Sequence, residues 1–376
     1  MHAPLHPAAE RPRSARGRSA ANSLTAVTMD FLTRLLSAAG PSGHETAPAR
    51  VWRERCAEFA QVSGDSVGSS FARVPGTGGG PRLVIVGHID EIGLHISHID
   101  KEGYLRFGQV GGWDVGVLLG QRVRLHTRAG EIVGVIGRKP IHLLKDEERQ
   151  KMPEIKDLHI DIGVGSAEEA RELVQIGDVA VIDAAPIELR PGIVVSRALD
   201  NRVGCYVAAE AARLVAQAGG APGEVVAVAA AQEETTFAGS RTSAFSLEPE
   251  VAIVVDVTFA TDQPGIELGQ ITEHKLGSGA VIARGTTLHP RVFELLAEAG
   301  AAEGIPFTIE SMGRGTGTDA DAIHLSRAGV PTGLVSVPLR YMHSPVELVS
   351  FHDIEAAARL IAAFARLLQP GMSFAR

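Results

Sequence analysis

The sequence predicts an α/β protein: a three-layer sandwich with a mixed sheet covered by helices, carrying an inserted small β-rich domain. Three observations predict it. Near-continuous apolar runs (Leu83 to Gly87, Val225 to Ala231, Val251 to Val255, Pro331 to Val337) alternate with segments of helical spacing, as strands buried on both faces do. Between 108 and 186 the texture changes to short β-like segments separated by glycine turns, Val123 to His126, Ile132 to Ile136 and Val179 to Ile182 among them. Finally, the apolar runs end in His, Asp or Glu. In open α/β sheets that is where ligands bind.

Taken in order, residues 1–28 form a segment rich in Ala, Pro, Arg and Ser with a single acid, Glu10. It has no apolar core of a secretory signal and is expected to be a disordered extension, dispensable for activity. Residues 29–107 are expected to be the first part of the catalytic domain. Phe31, Leu32, Leu35 and Leu36 have helical spacing and stop at Gly40-Pro41. Ser42 and Glu45 stand at capping-box spacing before a second helix. The run Leu83 to Gly87 then delivers His88 and Asp90. Residues 108–186 are the expected insert, and 187–376 return to the host. Here Asp200 precedes an Ala-rich helix from Gly204, Glu233 and Glu234 follow the second apolar run, and Asp256 follows the third. His343 comes after the fourth, and a last helix runs from Ile354 to Leu368.

Composition narrows the function. A net charge of −8 and an aromatic content of 5% leave little material for nucleic-acid binding. No apolar run is long enough to span a bilayer. Two cysteines, Cys56 and Cys205, suit a reducing compartment, and a cytoplasmic location is expected. Cys205, in an Ala-rich helical face, reads as a small hydrophobe rather than a nucleophile. Neither a Gly-x-Ser-x-Gly elbow nor a His-Glu-x-x-His pair occurs. Gly315-Thr316-Gly317-Thr318-Asp319 lacks a phosphate-binding lysine and reads as a turn shaping a pocket wall, with Asp319 a candidate for a substrate amino group.

Alone, Glu233-Glu234 would be solvated loop carboxylates, and Asp200 a helix N-cap. Together, His88, Asp90, Asp200, Glu233, Glu234, Asp256 and His343 make two histidines and five carboxylates at strand ends. Converging bare, such charges repel. Two divalent cations about 3.5–4 Å apart are the simple remedy. The inventory fits: one His and one terminal carboxylate for each cation, a bridge, a free carboxylate as base, and a carboxylate behind a ligating His.

These motifs resemble the M42 family of metallo-aminopeptidases. The resemblance is carried by Gly87-His88-Ile89-Asp90-Glu91-Ile92-Gly93, Ala198-Leu199-Asp200-Asn201-Arg202, Gln232-Glu233-Glu234, Asp256-Val257-Thr258 and Arg340-Tyr341-Met342-His343-Ser344-Pro345, in that order. It implies that His88 and Asp256 ligate one metal and Glu234 and His343 the other. Asp200 would bridge, Glu233 would be the general base, and Asp90 would orient His88. It also implies a PDZ-like insert, a strained or cis Asp200-Asn201 bond, two zinc or cobalt ions (or manganese), peptide substrates and assembly into a tetrahedral dodecamer. Thr235-Thr236-Phe237 departs from that family's usual Val-Gly followed by an apolar residue. The rival readings are a dimetal deacylase or carboxypeptidase with the same ligands, a cellulase, and a non-catalytic peptide-binding scaffold. Scarce aromatics and a metal-type ligand set disfavour the cellulase; the intact ligand set disfavours the scaffold.

Overall fold

The computed structural model describes residues 29–269 and 271–376. The expected N-terminal extension lies outside the described residues. Among these, eleven strands form one mixed sheet. Its centre is four parallel strands, in the order Val225–Ala230, Leu83–His88, Val251–Phe259 and Thr332–Arg340. All four therefore end at one edge. Antiparallel pairings continue the sheet on either side: beyond Thr332–Arg340, first Glu347–Ser350 and then Ile193–Ser196, each antiparallel to its neighbour. Two reversals give Ile193–Ser196 the direction of the central strands, so its C-terminal end reaches the same edge.

Alternation along the strands explains the layers. Leu83, Ile85, Val225, Ala227, Ile253 and Val255 pack with the helices 29–37, Thr46–Cys56, Leu199–Gln217, Pro290–Glu303 and Phe351–Leu367. Val84, Val86, Val226, Val228, Ala252 and Val254 face the opposite layer, with Ala244, Leu247, Ala320 and Ile323 from two shorter helices. Both faces of the sheet are buried, as the continuous apolar runs require.

One close approach positions the site. A Cβ on Gly87 would lie 2.3 Å from the Gly204 carbonyl carbon, and one on Gly204 would lie 2.3 Å from Asn201 Oδ1. Glycine at 87 lets the helix Leu199–Gln217 lie directly on the strand that ends in His88, and glycine at 204 leaves room for the Asn201 side chain of the same helix. Asp200, at the start of that helix, is thereby brought over the strand end.

The other β unit is a closed barrel of six antiparallel strands, Gly93–Ile99, Leu105–Val110, Leu158–Asp161, Gly130–Arg138, Arg122–Thr127 and Val179–Ile182. Where a PDZ-like insert was expected, the structure has this barrel. Its first strand precedes the expected boundary at 107/108 and its second straddles it. The Gly111-Gly112 punctuation falls inside the unit, after its second strand, rather than at its entrance. The capping box at Ser42 and Glu45 does not form either. Glu45 accepts from the Gly43 and Gln232 amides at 2.6 and 3.1 Å, and Ser42 Oγ lies 2.9 Å from Thr235 Oγ1. Tertiary partners outcompete the local pattern.

Candidate metal centre

Each side chain reaches the site by a different local device. His88 is the last residue of its strand and Asp90 lies two residues on. The apolar run before Glu233 ends in a turn with Gln232 in the left-handed region (φ 59°), followed by a short helix Glu233–Thr236. Ala198 (φ 59°) turns the chain before Asp200, and His343 itself has φ 59°. Non-glycine residues rarely adopt this conformation, and such strain gathers at functional sites. The Asp200–Asn201 peptide bond is cis. Asn201 is fully buried, donating to the Val255 carbonyl at 2.7 Å and accepting from the Gly204 amide at 2.9 Å. Asp256 differs from expectation: it does not end its strand, which runs on to Phe259.

Six of the seven sequence candidates line one cavity of about 460 Å³: His88, Asp200, Glu233, Glu234, Asp256 and His343. Asp200 joins its two halves. Its Oδ1 is 3.2 Å from His88 Nε2 and its Oδ2 is 3.3 Å from His343 Nε2. His343 Nε2 is also 3.7 Å from Glu234 Oε1, and His88 Nε2 is 3.6 Å from Glu233 Oε2. Two three-residue groups share Asp200: His88 with Asp256, and Glu234 with His343. In each, the potential ligand atoms lie within 4.8 Å of one another. Asp90 sits behind, fully buried, 3.3 Å from His88 Nδ1, and accepts the amide N–H groups of Glu233 and Glu234 at 3.1 Å each. One carboxylate thus ties His88 to the Glu233-Glu234 turn.

The electrostatics follow from crowding. Burial, with Asp256, Asp319 and Glu234 nearby, pushes Glu233 up to about 10 against the opposing pull of His88. Burial and the Asp200 charge raise Glu234 to about 8. Asp256 is raised well above the usual range, first by burial and then by Asp200. Burial also works against ionised Asp200, but contacts with His343 and His88 outweigh it and hold that carboxyl well below its usual value. The hydrogen bond to Asp200 raises His343 to about 9. Carboxylates this buried and this close resist ionising together without a positive partner. Imidazole and carboxylate donors suit zinc, cobalt or manganese, and a carboxylate with one oxygen toward each half suits a pair of cations. The donor set fits such a pair.

Sequence reasoning missed Glu347. It is 2% exposed and accepts two amides, from Asp200 at 3.1 Å and His343 at 2.9 Å. The available signal was an acid beside the apolar pair Leu348-Val349 in the strand Glu347–Ser350. Glu91, named in the motif but given no role, is buried among Arg197, Arg202 and the Gly40 amide. Asp319 is 1% exposed and set behind the wall rather than on it, with burial raising it to about 6. The Gly-rich turn does shape that wall. Asp321 accepts the Thr316 and Gly317 amides, leaving them unavailable to a phosphate. Cys205 is buried with its thiol pushed up by burial, donating to the Gly87 carbonyl at 3.2 Å. Thr235 and Thr236 sit in an ordinary helical turn. The positive φ (55°) falls on Phe237, whose side chain lines the cavity.

The fold and the cluster define the class first: an α/β protein whose histidines and carboxylates could hold metal at the carboxyl edge of its sheet. Comparison with known proteins makes this particular. The model of the M42 glutamyl aminopeptidase family matches residues 68–360. A lysyl aminopeptidase of Pyrococcus furiosus is 34% identical, with 92% of this chain and 98% of that one covered. The solved structure of a TET aminopeptidase from a marine sediment archaeon of the Thaumarchaeota superposes with a TM-score of 0.88 at 35% identity, covering 92% of this chain and 98% of the other. The TET1 peptidase of Pyrococcus horikoshii, which can assemble into a tetrahedron or a large octahedral shell, gives 0.79 at 32% identity over 90% of this chain and 99% of that one. The chain belongs to the M42 peptidase family, hydrolases whose curated relatives are named aminopeptidases.

Proposed function

We propose that the chain is a dinuclear-metal aminopeptidase that hydrolyses the N-terminal peptide bond of peptides, with Glu233 as general base. The observation that carries this reading is the shared Asp200, one oxygen toward His88 and the other toward His343. His88 and Asp256 would hold one cation, Glu234 and His343 the other, and Asp200 both. Zinc, cobalt and manganese match these donors. Bound there, such ions supply a nucleophilic water of lowered pKa and polarise a carbonyl oxygen.

The chain's own residues do the rest. Asp90 holds the Glu233-Glu234 turn through its two amides and keeps the His88 ring in place. Glu233 is part of the cavity wall; it stands outside the two groups that share Asp200, though its carboxylate also lies within 4.8 Å of ligand atoms of His88 and Glu234. In this reading its carboxylate would take a proton from water and return it to the departing amine. Phe237, Val257 and Met342 present apolar surface to the substrate.

We take the six-stranded barrel as this chain's counterpart of the family's PDZ-like insert, and self-assembly into a tetrahedral dodecamer as its quaternary state. The exposed Val133, Ile141 and Met152 on that unit supply contact surface. Among the described residues no helix is long and apolar enough to cross a membrane, and a cytoplasmic location belongs to the same proposal.

The test is metal analysis combined with chromogenic amides. Two divalent ions per chain, hydrolysis of aminoacyl anilides, and its loss on chelation and return on adding cobalt or zinc are expected. Hydrolysis of N-acyl amino acids in preference to aminoacyl anilides would replace this reading with the deacylase.

A further inference from the structure

A second cavity, of about 350 Å³, lies at the opposite edge of the large sheet from the histidine–carboxylate cluster, beside Thr332, the first residue of its strand. Thr287 reaches it from beyond the strand Ala280–Gly285, His289 from just before the helix Pro290–Glu303, and His324 from just after the short helix Ala320–Ile323. Phe374 and Arg376 line it from the C-terminal segment. Among the described residues no Asp or Glu lines it.

Its polar groups are left open in a particular way. His289 is 9% exposed, and its Nε2 lies 2.9 Å from the Phe374 carbonyl oxygen. A carbonyl can only accept, so Nε2 carries the proton. Nδ1 is buried with no hydrogen-bond partner among the described residues. Burial, with Arg376 nearby, holds this ring below its ordinary pKa, which leaves Nδ1 a bare acceptor. His324 is arranged alike, with Nδ1 2.9 Å from the Ala320 carbonyl oxygen and Nε2 as its other hydrogen-bonding atom. Thr287 Oγ1 is also buried and unpartnered. Arg376 donates one N–H to the Leu288 carbonyl at 3.1 Å, and a guanidinium has further N–H groups to give.

Buried polar atoms without partners are costly, and two of them in one cavity call for a ligand. That ligand needs negative charge and acceptor oxygens for Arg376 and Thr287, and a proton for Nδ1 of His289. A divalent cation would suit the imidazoles but would meet Arg376 with no carboxylate to offset it. Sulfate brings acceptors without a proton. Hydrogen phosphate brings both, and a phosphate monoester, with a second pKa of about 6, takes up a proton readily. The 14-residue helix Pro290–Glu303 starts here and adds the positive end of its dipole. Phe374 and Val330 give the wall an apolar side against which an ester group could lie.

We propose that this cavity binds a small phosphate-type anion, inorganic phosphate or a phosphate monoester, with Arg376 and Thr287 on its oxygens and its hydroxyl donating to His289 Nδ1. The site is separate from the metal cluster and does not rest on the aminopeptidase reading.

The experiment is isothermal titration calorimetry on the full chain loaded with cobalt and freed of excess metal. The probes are inorganic phosphate, phenyl phosphate and sulfate, and the variants are Arg376→Ala and Thr287→Val. Arg376 is exposed, so its replacement should leave the fold intact; circular dichroism checks both variants. Saturable phosphate binding is expected, with sulfate weaker by about 10-fold or more, the size of a hydrogen bond to a charged group. Each variant should weaken phosphate by about 10-fold with cobalt content unchanged. Phenyl phosphate ahead of inorganic phosphate supports the monoester, and inorganic phosphate ahead supports the free ion. Absence of saturable phosphate binding, sulfate equal to phosphate, or phosphate affinity unchanged in both variants overturns the proposal, the last because the phosphate would then be held elsewhere, as by the cations of the cluster.

Discussion

The two β units of this chain treat charge in opposite ways. At the carboxyl edge of the large sheet, His88, Asp90, Glu91, Asp200, Asp256 and Glu347 are all buried. In the barrel, among the described residues from 93 to 182, no polar or charged residue is buried to that degree. Its interior is Leu94, Ile96, Leu105, Val123, Leu125, Ile160 and similar side chains. Its ion pairs, such as Arg122–Asp183 and Lys156–Glu154, lie at the surface. Surface pairs contribute little, about 0–1 kcal/mol each, while an uncompensated buried charge costs several. Beyond its backbone ladders, the barrel is therefore held by apolar packing rather than by buried charge. The sheet edge carries a load that packing cannot repay, and the proposed cations would answer it.

Breaking the comparison at the edge should remove chemistry and spare the fold. The largest effect expected is that of Glu233→Gln, which keeps shape and removes the base. Turnover on a leucine anilide should fall by about 10²–10⁴-fold, with metal content per chain unchanged. Near-normal kcat with metal bound would take the base role away from Glu233.

Breaking it in the barrel should do the reverse. Ile160 is fully buried in the barrel core, and Ile160→Ala should cost about 2–5 kcal/mol of stability by denaturant unfolding. Chains that remain folded should keep their kcat. A loss of turnover per folded chain, with unfolding unaffected, would show that the barrel reaches into the chemistry and that the two units are not separable.

The same contrast explains what could be read in the sequence. Strands buried on both faces give continuous apolar runs, so the central sheet was legible, and the candidate ligands stood out as polar residues at or just beyond the ends of such runs. Their convergence was legible because strand direction in an α/β sheet forces it. The barrel was harder. Its strands Gly93–Ile99 and Leu105–Val110 bury one face, and the first carries a register shift between Ile96 and His98. Alternation of that kind looks alike in host and insert, so the boundary followed the glycines instead. Ser42 and Glu45 misled for another reason. Their spacing is a local signal, and Gln232 and Thr235, nearly two hundred residues along the chain, took their hydrogen-bonding groups. Asp256 within a longer strand and Asp319 behind the wall were depths, which one-dimensional pattern does not carry.

Glu347 sharpens the comparison furthest, because it is a buried edge charge outside the ligand set. Burial and the Asp200 charge push its carboxyl well up, against the two amides it accepts. Those amides belong to Asp200, the proposed shared ligand, and to His343, a member of one of its two groups. Holding both backbones with one side chain sets how the Asp200 oxygens face the two histidines. Glu347→Gln keeps the volume and relieves the repulsion with Asp200, but a carboxamide has one acceptor oxygen, so one amide loses its partner. Supporting groups behind ligands are typically worth about 10–100-fold in metal affinity. Cobalt affinity, measured by competition with a chelator, should weaken by that factor while the thermal midpoint of the metal-free chain changes little. Unaltered affinity would mean that Glu347 is there for packing and that the edge positions its ligands without it.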